Sequence, residues 1–342
     1  MRTIDWDDKK SNIVMIDQTL LPAEYLVIEC NSIDSLCEAI IKLRIRGAPA
    51  LGAAGGFGIA LAAHKSSASS LEGLMNDLEA AGKTITGTRP TAVNLSWGVK
   101  RVIRAVEDAR NIKEAKMFAL DEAKAIADED VEKNKQMGEH GASLLEDGDT
   151  VMTHCNAGRL ACVDWGTALG VIRSAREQGK DIRVISCETR PLNQGSRITT
   201  WELMEDKIPV TLITDSMSGH VMRKGMVDKV IVGADRITQD AVFNKIGTYT
   251  HSVVAKEHGI PFYVAAPVST FDFEHLEDEI EIELRKPDEL RYFGTHQIAP
   301  LDVEVYNPAF DATPMENVNA IITENGIFYP PFLVDEVKIK NY

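Results

Sequence analysis

The chain has 342 residues, 44% of them hydrophobic and 26% charged, with a formal net charge of −15 at neutral pH. That length exceeds what one hydrophobic core usually serves, so two domains are expected. A net anion with no basic stretch argues against general nucleic-acid or anionic-membrane binding, yet it leaves room for one small anion held by local cations.

In chain order, the opening MRTIDWDDKK carries no apolar signal region, which argues against secretion. Short apolar runs at 13–16 and 25–28 flank Leu21-Pro22 and predict a small β-hairpin. From Ser35 to about Leu145 the apolar spacing is mostly helical. Ile40, Ile41 and Leu43 close one helix, and Leu71, Leu74, Leu78 and Ala81 mark another. Phe118, Ala123, Ile126 and Ala127 lie in a long one over about 112–144. The Ala/Gly-dense run at 48–63 falls short of the about 20 residues a membrane span needs, and reads as a buried core helix. Arg46-Gly47-Ala48 opens it, where small residues let a ligand approach the backbone amides. Thr88-Arg89-Pro90-Thr91 is a second turn-to-helix signal with an embedded Arg.

At Gly148-Asp149 the pattern changes. β-rich runs at 150–154, 182–187, 210–214, 229–233 and 262–266 alternate with helical spacing at 160–177, 198–205, 217–224 and 248–258. This alternation predicts βαβ units and an α/β fold with a doubly wound, Rossmann-like parallel sheet. The expected organisation is a smaller, mainly helical domain with an N-terminal hairpin over 1–145, then the sheet domain over 146–342.

Ligands of such sheets bind beyond the carboxyl ends of the strands. Cys155 follows the first strand, Glu188-Thr189-Arg190 the second, Asp215 the third and Asp235-Arg236 the fourth. Neither GxGxxG nor GxxxxGK[ST] occurs, so no dinucleotide or ATP site is indicated. Cys155, between a strand and an expected helix start, reads as a thiolate stabilised by helix amides or as a small buried apolar residue. His154 cannot be assumed to face the same way, because strand neighbours alternate sides. Asp235 reads as a general acid or base whose pKa partial burial raises, as a helix N-cap, or as a partner of Arg236. Asp215 reads as an N-cap. Arg46, Arg89 and Lys245 sit at loop–helix junctions, and together they could clamp a phosphate.

Five cysteines without a CxxC pair fit neither a disulfide framework nor a zinc site, and point to a reducing cytoplasm. Cys162 and Cys187 read as packing residues. The acidic stretch 271–290 reads as a solvated face, since it lacks a DxDxDG-type pattern.

An ordered set of segments then narrows the reading. It comprises IRGAPALGAAGGFGIAL (45–61), TRPTAVNLSWGV (88–99), THCNAG (153–158), GTALGVIR (166–173), ETRPLNQGSRITTWEL (188–203), VTLITDSM (210–217), VIVGADRIT (230–238), NKIGTY (244–249), IPFYVAAPVSTFD (260–272) and NPAFDATP (307–314). In this order they resemble the methylthioribose-1-phosphate isomerase family. The wider superfamily includes ribose-1,5-bisphosphate isomerases and regulatory subunits of a translation-initiation exchange factor.

The resemblance implies a homodimeric aldose–ketose isomerase of methionine salvage, working without metal or nucleotide cofactor. Its reaction would convert 5-methylthioribose 1-phosphate to 5-methylthioribulose 1-phosphate. By motif, Cys155 and Asp235 would be the catalytic pair, and Arg46, Gly47, Ala48, Arg89, Gln194, Asn244 and Lys245 would hold phosphate and sugar.

The chain departs from the common bacterial pattern. RITQDAVF between Asp235 and Asn244 is short, Cys187 stands where Asp is frequent, and Arg159, Val163-Asp164 and Ser96 differ. These changes spare the pair but leave the C5 substituent open, with 5-deoxyribose 1-phosphate as an alternative substrate. Ribose 1,5-bisphosphate would require a second phosphate site. A non-catalytic translation subunit would be expected to lack the Cys/Asp pair.

Overall fold

The computed structural model describes residues 2–90, 92–331 and 337; Thr91 of the turn noted above lies outside them. Strands β1 (Ile4–Asp7), β2 (Asn12–Ile16) and β3 (Val27–Cys30) form an antiparallel sheet in that order. The expected hairpin is β2 with β3; β1 adds a further strand, pairing Ile4 with Met15.

Helix α1 (Ile33–Ile41) begins at Ser32, whose hydroxyl accepts from Ser35 N at 3.1 Å. Helix α2 (Ala48–Lys65) is buried without a break from Ala50 to Leu61, as a helix apolar on every side must be. Helices α3 (Leu71–Gly87) and α4 (Val93–Glu107) pack against it, and α5 (Ile112–Ala142) follows.

By contact, the chain divides into one unit of Met1–Lys135 with Gly158–Gly166, and another of Gln136–Ala157 with Thr167–Tyr342. The division falls inside α5, ahead of the expected boundary at 145/146. A continuous helical period carries no mark of the residue where a helix changes neighbours.

The second unit is built on a seven-stranded sheet. Its elements in chain order are β4 (Thr150–Thr153), α6 (Ala168–Glu177), β5 (Arg183–Cys187), α7 (Thr200–Glu205), β6 (Val210–Ile213), α8 (Ser218–Arg223) and β7 (Lys229–Val232). There follow β8 (Arg236–Ile237), β9 (Ala241–Lys245), α9 (Thr248–Glu257), β10 (Phe262–Ala265), α10 (Asp288–Arg291), β11 (Tyr292–Phe293), β12 (His296–Gln297), β13 (Phe310–Pro314), β14 (Ala320–Thr323) and β15 (Gly326–Phe328). The sheet order is β15-β14-β10-β7-β4-β5-β6, parallel except for β15. Each face has its own core, because side chains alternate along each strand. Met152, Val230, Val232 and Val264 turn to one side, and Val151, Ile231 and Ala265 to the other.

The structure corrects the expected helix over 160–177. Only one 3-10 turn, Arg159–Ala161, forms before α6 begins at Ala168. Leu160 and Val163 keep a helical spacing, but they are buried in a segment grouped with the first unit. The five β-rich runs are joined by β14 and β15, and a separate antiparallel sheet has the order β13-β9-β8. Asn244 and Lys245 therefore end a strand, paired with Asp311 and Phe310, and are not carried on a loop.

Candidate functional site

From β6 through β5 and β4 the strand order runs backward along the chain, and from β4 to β7, β10 and β14 it runs forward. The order reverses between β4 and β7. In a doubly wound sheet the crevice opens at that switch point, beyond the carboxyl ends of the strands. Cys155 lies just past β4 and Asp235 just past β7, so two adjacent strands deliver a thiol and a carboxylate to one edge. The two loops touch: a Cβ added to Gly233 would lie 2.7 Å from the Cβ of Ala157.

Cys155 is held in a left-handed backbone conformation, φ +63°, and Thr189 and Asn193 share that region at +66° and +57°. Non-glycine residues there cost about 1–3 kcal/mol each and persist where the surroundings over-determine them. The surroundings do so here. Cys155 N donates to Thr189 Oγ1 at 2.8 Å, and Thr199 Oγ1 donates to Cys155 O at 2.6 Å. Asn156, buried, donates to Thr199 Oγ1 at 3.1 Å and Glu202 Oε1 at 2.9 Å. Arg173, 4% exposed, completes the frame through Glu202 at 2.7 Å and Asp206 at 2.6 Å.

Several sequence expectations change here. No helix follows Cys155 directly; Leu169 N in the first turn of α6 instead reaches Ala157 O at 3.2 Å. The side chain of Asp235 is exposed, where partial burial was expected. It caps no helix, since strand β8 starts at Arg236, and Arg236 itself pairs with Asp272 Oδ2 at 2.9 Å. Asp215 is no N-cap either. Its carboxylate accepts from Thr189 N at 2.8 Å and Arg190 N at 2.7 Å, fixing the loop that supports Cys155.

His154 turns into the protein. Its Nε2 lies 2.9 Å from Ile246 O, and because a carbonyl can only accept, Nε2 carries the hydrogen and Nδ1 a lone pair. Nδ1 is 3.1 Å from His251 Nε2 and 3.7 Å from Asp215 Oδ1. Burial keeps both imidazoles neutral, pulling His154 down to about 4 and His251 to about 3. Cys187 is fully buried on β5 as expected, and burial pushes its thiol up.

Gln194 and Lys245 meet at a small, open pocket of about 10 Å³, lined also by Leu192, Arg285, Asn307 and Ala309. Gln194 is 7% exposed, and its Oε1 has no hydrogen-bond partner among the described residues. Lys245 Nζ donates to Ala309 O at 2.9 Å and lies 4.8 Å from the Phe310 ring centroid. Asn244 is buried and donates to Thr248 Oγ1 at 3.0 Å. Asp311, paired with Asn244 across the strands, accepts from Gly247 N at 2.7 Å and Tyr249 N at 3.2 Å. Burial pushes its carboxyl up to about 6.

In the first unit, Arg46, Gly47 and Ala48 come together at the start of α2. Arg46 Nε donates to Gln18 Oε1 at 3.1 Å, and Gln18 Nε2 donates to Leu160 O at 2.8 Å. Gly47 has φ +92°, and a Cβ there would stand 2.3 Å from Ala161 O, so no other residue fits. Arg89 lies between α3 and α4, partly buried. The anchoring residues Thr189, Thr199 and Glu202 lie inside the motif 188–203, but no spacing rule singles out a threonine that holds a strained backbone.

Strand order and the groups converging on one edge define a doubly wound α/β protein with a polar site at the switch point. The chain belongs to the initiation factor 2 subunit family, whose profile matches residues 44–330. A Methanosarcina acetivorans relative, provisionally named methylthioribose-1-phosphate isomerase, is 68% identical over 99% of this chain and 97% of its own. The structure of 5-methylthioribose 1-phosphate isomerase from Pyrococcus horikoshii is 44% identical and superposes with a TM-score of 0.92, covering 99% of this chain and 95% of that one. An Archaeoglobus fulgidus structure described as translation initiation factor eIF-2B, subunit delta, is 61% identical with a TM-score of 0.91, covering both chains completely. Among the described residues, no helix is long and apolar enough to cross a membrane.

Proposed function

We propose that this protein is an aldose–ketose isomerase of methionine salvage, converting 5-methylthioribose 1-phosphate to 5-methylthioribulose 1-phosphate. The observation that carries the reading is Cys155 held at φ +63° at the switch point, with Asp235 on the adjacent strand end. The buried, unpartnered Gln194 Oε1 beside Lys245 supplies an acceptor for sugar hydroxyls near a cation. Asn244 and Lys245 contact the substrate from β9. Arg46, Gly47, Ala48 and Arg89 are its further phosphate and sugar ligands, a role resting on their motifs.

The phosphate on O1 blocks the simple ring opening available to a free sugar. Asp235 protonates the ring oxygen as the ring opens, and the C2 hydrogen moves to C1. Two routes achieve the transfer. In one, the Cys155 thiolate takes the C2 proton, and an enol phosphate is reprotonated at C1. In the other, hydride shifts from C2 to C1 while Asp235 removes the O2 proton. Substrate deuterated at C2 separates them, since the first route loses label to water and the second retains it at C1.

The A. fulgidus description favours a second reading, a non-catalytic translation subunit. Purified protein offered 5-methylthioribose 1-phosphate, 5-deoxyribose 1-phosphate and ribose 1,5-bisphosphate in turn decides between them. Fastest ketose formation from the methylthio sugar is expected. No turnover of any of the three, together with stable capture of a translation factor, would overturn the enzyme reading. The active form is a cytoplasmic homodimer, to be checked by light scattering of the eluted protein.

A further inference from the structure

Four segments remote in sequence bring potential metal ligands together beneath the switch-point loops. His154 follows β4, Cys187 ends β5, Asp215 follows β6 and His251 lies in the first turn of α9. One ligand atom from each lies within 4.8 Å of all the others. We propose that His154, Cys187, Asp215 and His251 bind one divalent cation of the zinc class, which ties the ends of three strands to α9.

Two of the separations suit a tetrahedral centre, within a cluster whose ligand atoms all lie inside 4.8 Å of one another. Zinc bonds to nitrogen and oxygen are about 2.0–2.2 Å, so neighbouring ligand atoms in a tetrahedron stand about 3.3–3.6 Å apart. The separations of 3.1 Å from His154 Nδ1 to His251 Nε2 and 3.7 Å to Asp215 Oδ1 bracket that edge. His154, though not His251, whose Nδ1 has no hydrogen-bond partner among the described residues, also has the surroundings of a metal-binding histidine, whose second nitrogen normally donates to a carbonyl or carboxylate. His154 Nε2 does so at Ile246 O, which leaves the Nδ1 lone pair directed into the cluster. The Asp215 carboxylate is likewise oriented by the Thr189 and Arg190 amides.

Charge closes the argument. Two neutral imidazoles, one carboxylate and one thiolate balance a divalent cation, so the buried centre is neutral overall. Binding replaces the Cys187 S–H bond with a metal–sulfur bond, and the proton leaves to solvent. The Asp215 side chain, 27% exposed, marks the solvent-facing side. The mixed nitrogen, sulfur and oxygen set excludes a preference for magnesium or calcium.

The test uses the full-length protein stripped with a chelator, dialysed, and titrated with Co²⁺ and then Zn²⁺. The expected result is one Co²⁺ per chain, with a thiolate-to-cobalt absorption band that Zn²⁺ removes and a rise in melting temperature with Zn²⁺. His251→Leu should lose stoichiometric binding, and Cys187→Ser the band, while Cys155→Ala keeps both. Melting of each variant in chelator, compared with stripped wild type, verifies that it folds; His251→Asn replaces His251→Leu if the latter does not. Absence of stoichiometric binding by the wild type would overturn the proposal. So would full binding by the His251 variant, or a band that depends on Cys155 and not on Cys187. None of these readouts involves isomerase activity, so they stand apart from the proposed reaction.

Discussion

Gly233 and Ala157 lie so close that a Cβ on the glycine would sit 2.7 Å from the Cβ of the alanine. Each is two residues from a member of the proposed catalytic pair. The contact therefore sets how near the loops after β7 and β4 can approach. Gly233→Ala should leave the protein folded by circular dichroism but lower kcat about 10²-fold, the scale of a 1 Å misplacement. Pairing it with Ala157→Gly removes the clash and should recover most of the loss.

Thr189 accepts the Cys155 amide at 2.8 Å. Thr189→Val keeps the shape but leaves that amide without its partner, at a cost of about 1–3 kcal/mol in denaturant unfolding. A fall in kcat with little change in KM is expected, because the loss acts on the backbone that presents the thiol. Thr189→Ser restores the acceptor and should restore both quantities.

Arg173 and Glu202 form a buried ion pair that also positions Asn156. Arg173→Met strands the Glu202 charge and should destabilise the protein by about 3–5 kcal/mol in urea unfolding. Adding Glu202→Gln removes the stranded charge and should return part of that stability.

Acidity should act in opposite senses on two groups near the site. His251 is held near 3 in the fold, below its ordinary 6.5, so its contribution is full above pH 6.5 and is lost as pH falls. Asp311 is raised from 3.8 to about 6, so its contribution is present at low pH and is lost as pH rises through 6. With both proteins stripped of metal, His251→Leu should gain stability relative to wild type as pH drops from 6.5 towards 3. Asp311→Asn should gain as pH climbs from about 4 to 6. Each slope is at most ~1.4 kcal/mol per pH unit, read from chemical unfolding across pH.

The sheet was legible because its strands are short apolar runs, largely buried on both faces except in the edge strand β6, and the five recognised runs agree with β4, β5, β6, β7 and β10 to within one residue at either end. The groups at the carboxyl ends followed from what stands after those runs, whereas the switch point between β4 and β7 needed the strand order. The excursion at 158–166 was hidden, since Leu160, Val163 and Leu169 continue one helical period although the contact division separates them. The role of Asp215 was hidden for a different reason. An Asp before Ser-Met looks like a cap locally, and its true partners, the amides of Thr189 and Arg190, are set by tertiary structure. The His154–Cys187–Asp215–His251 cluster has no linear signature, because its members come from four separate elements.

The central claim is that Cys155 and Asp235 carry out the isomerisation, and it is tested most directly by following 5-methylthioribose 1-phosphate with the purified protein by NMR. The wild type should produce the ketose 1-phosphate, while Cys155→Ser and Asp235→Asn, folded with unchanged melting temperatures, should produce none. Near-normal ketose formation by either variant, or none by the wild type, would contradict it.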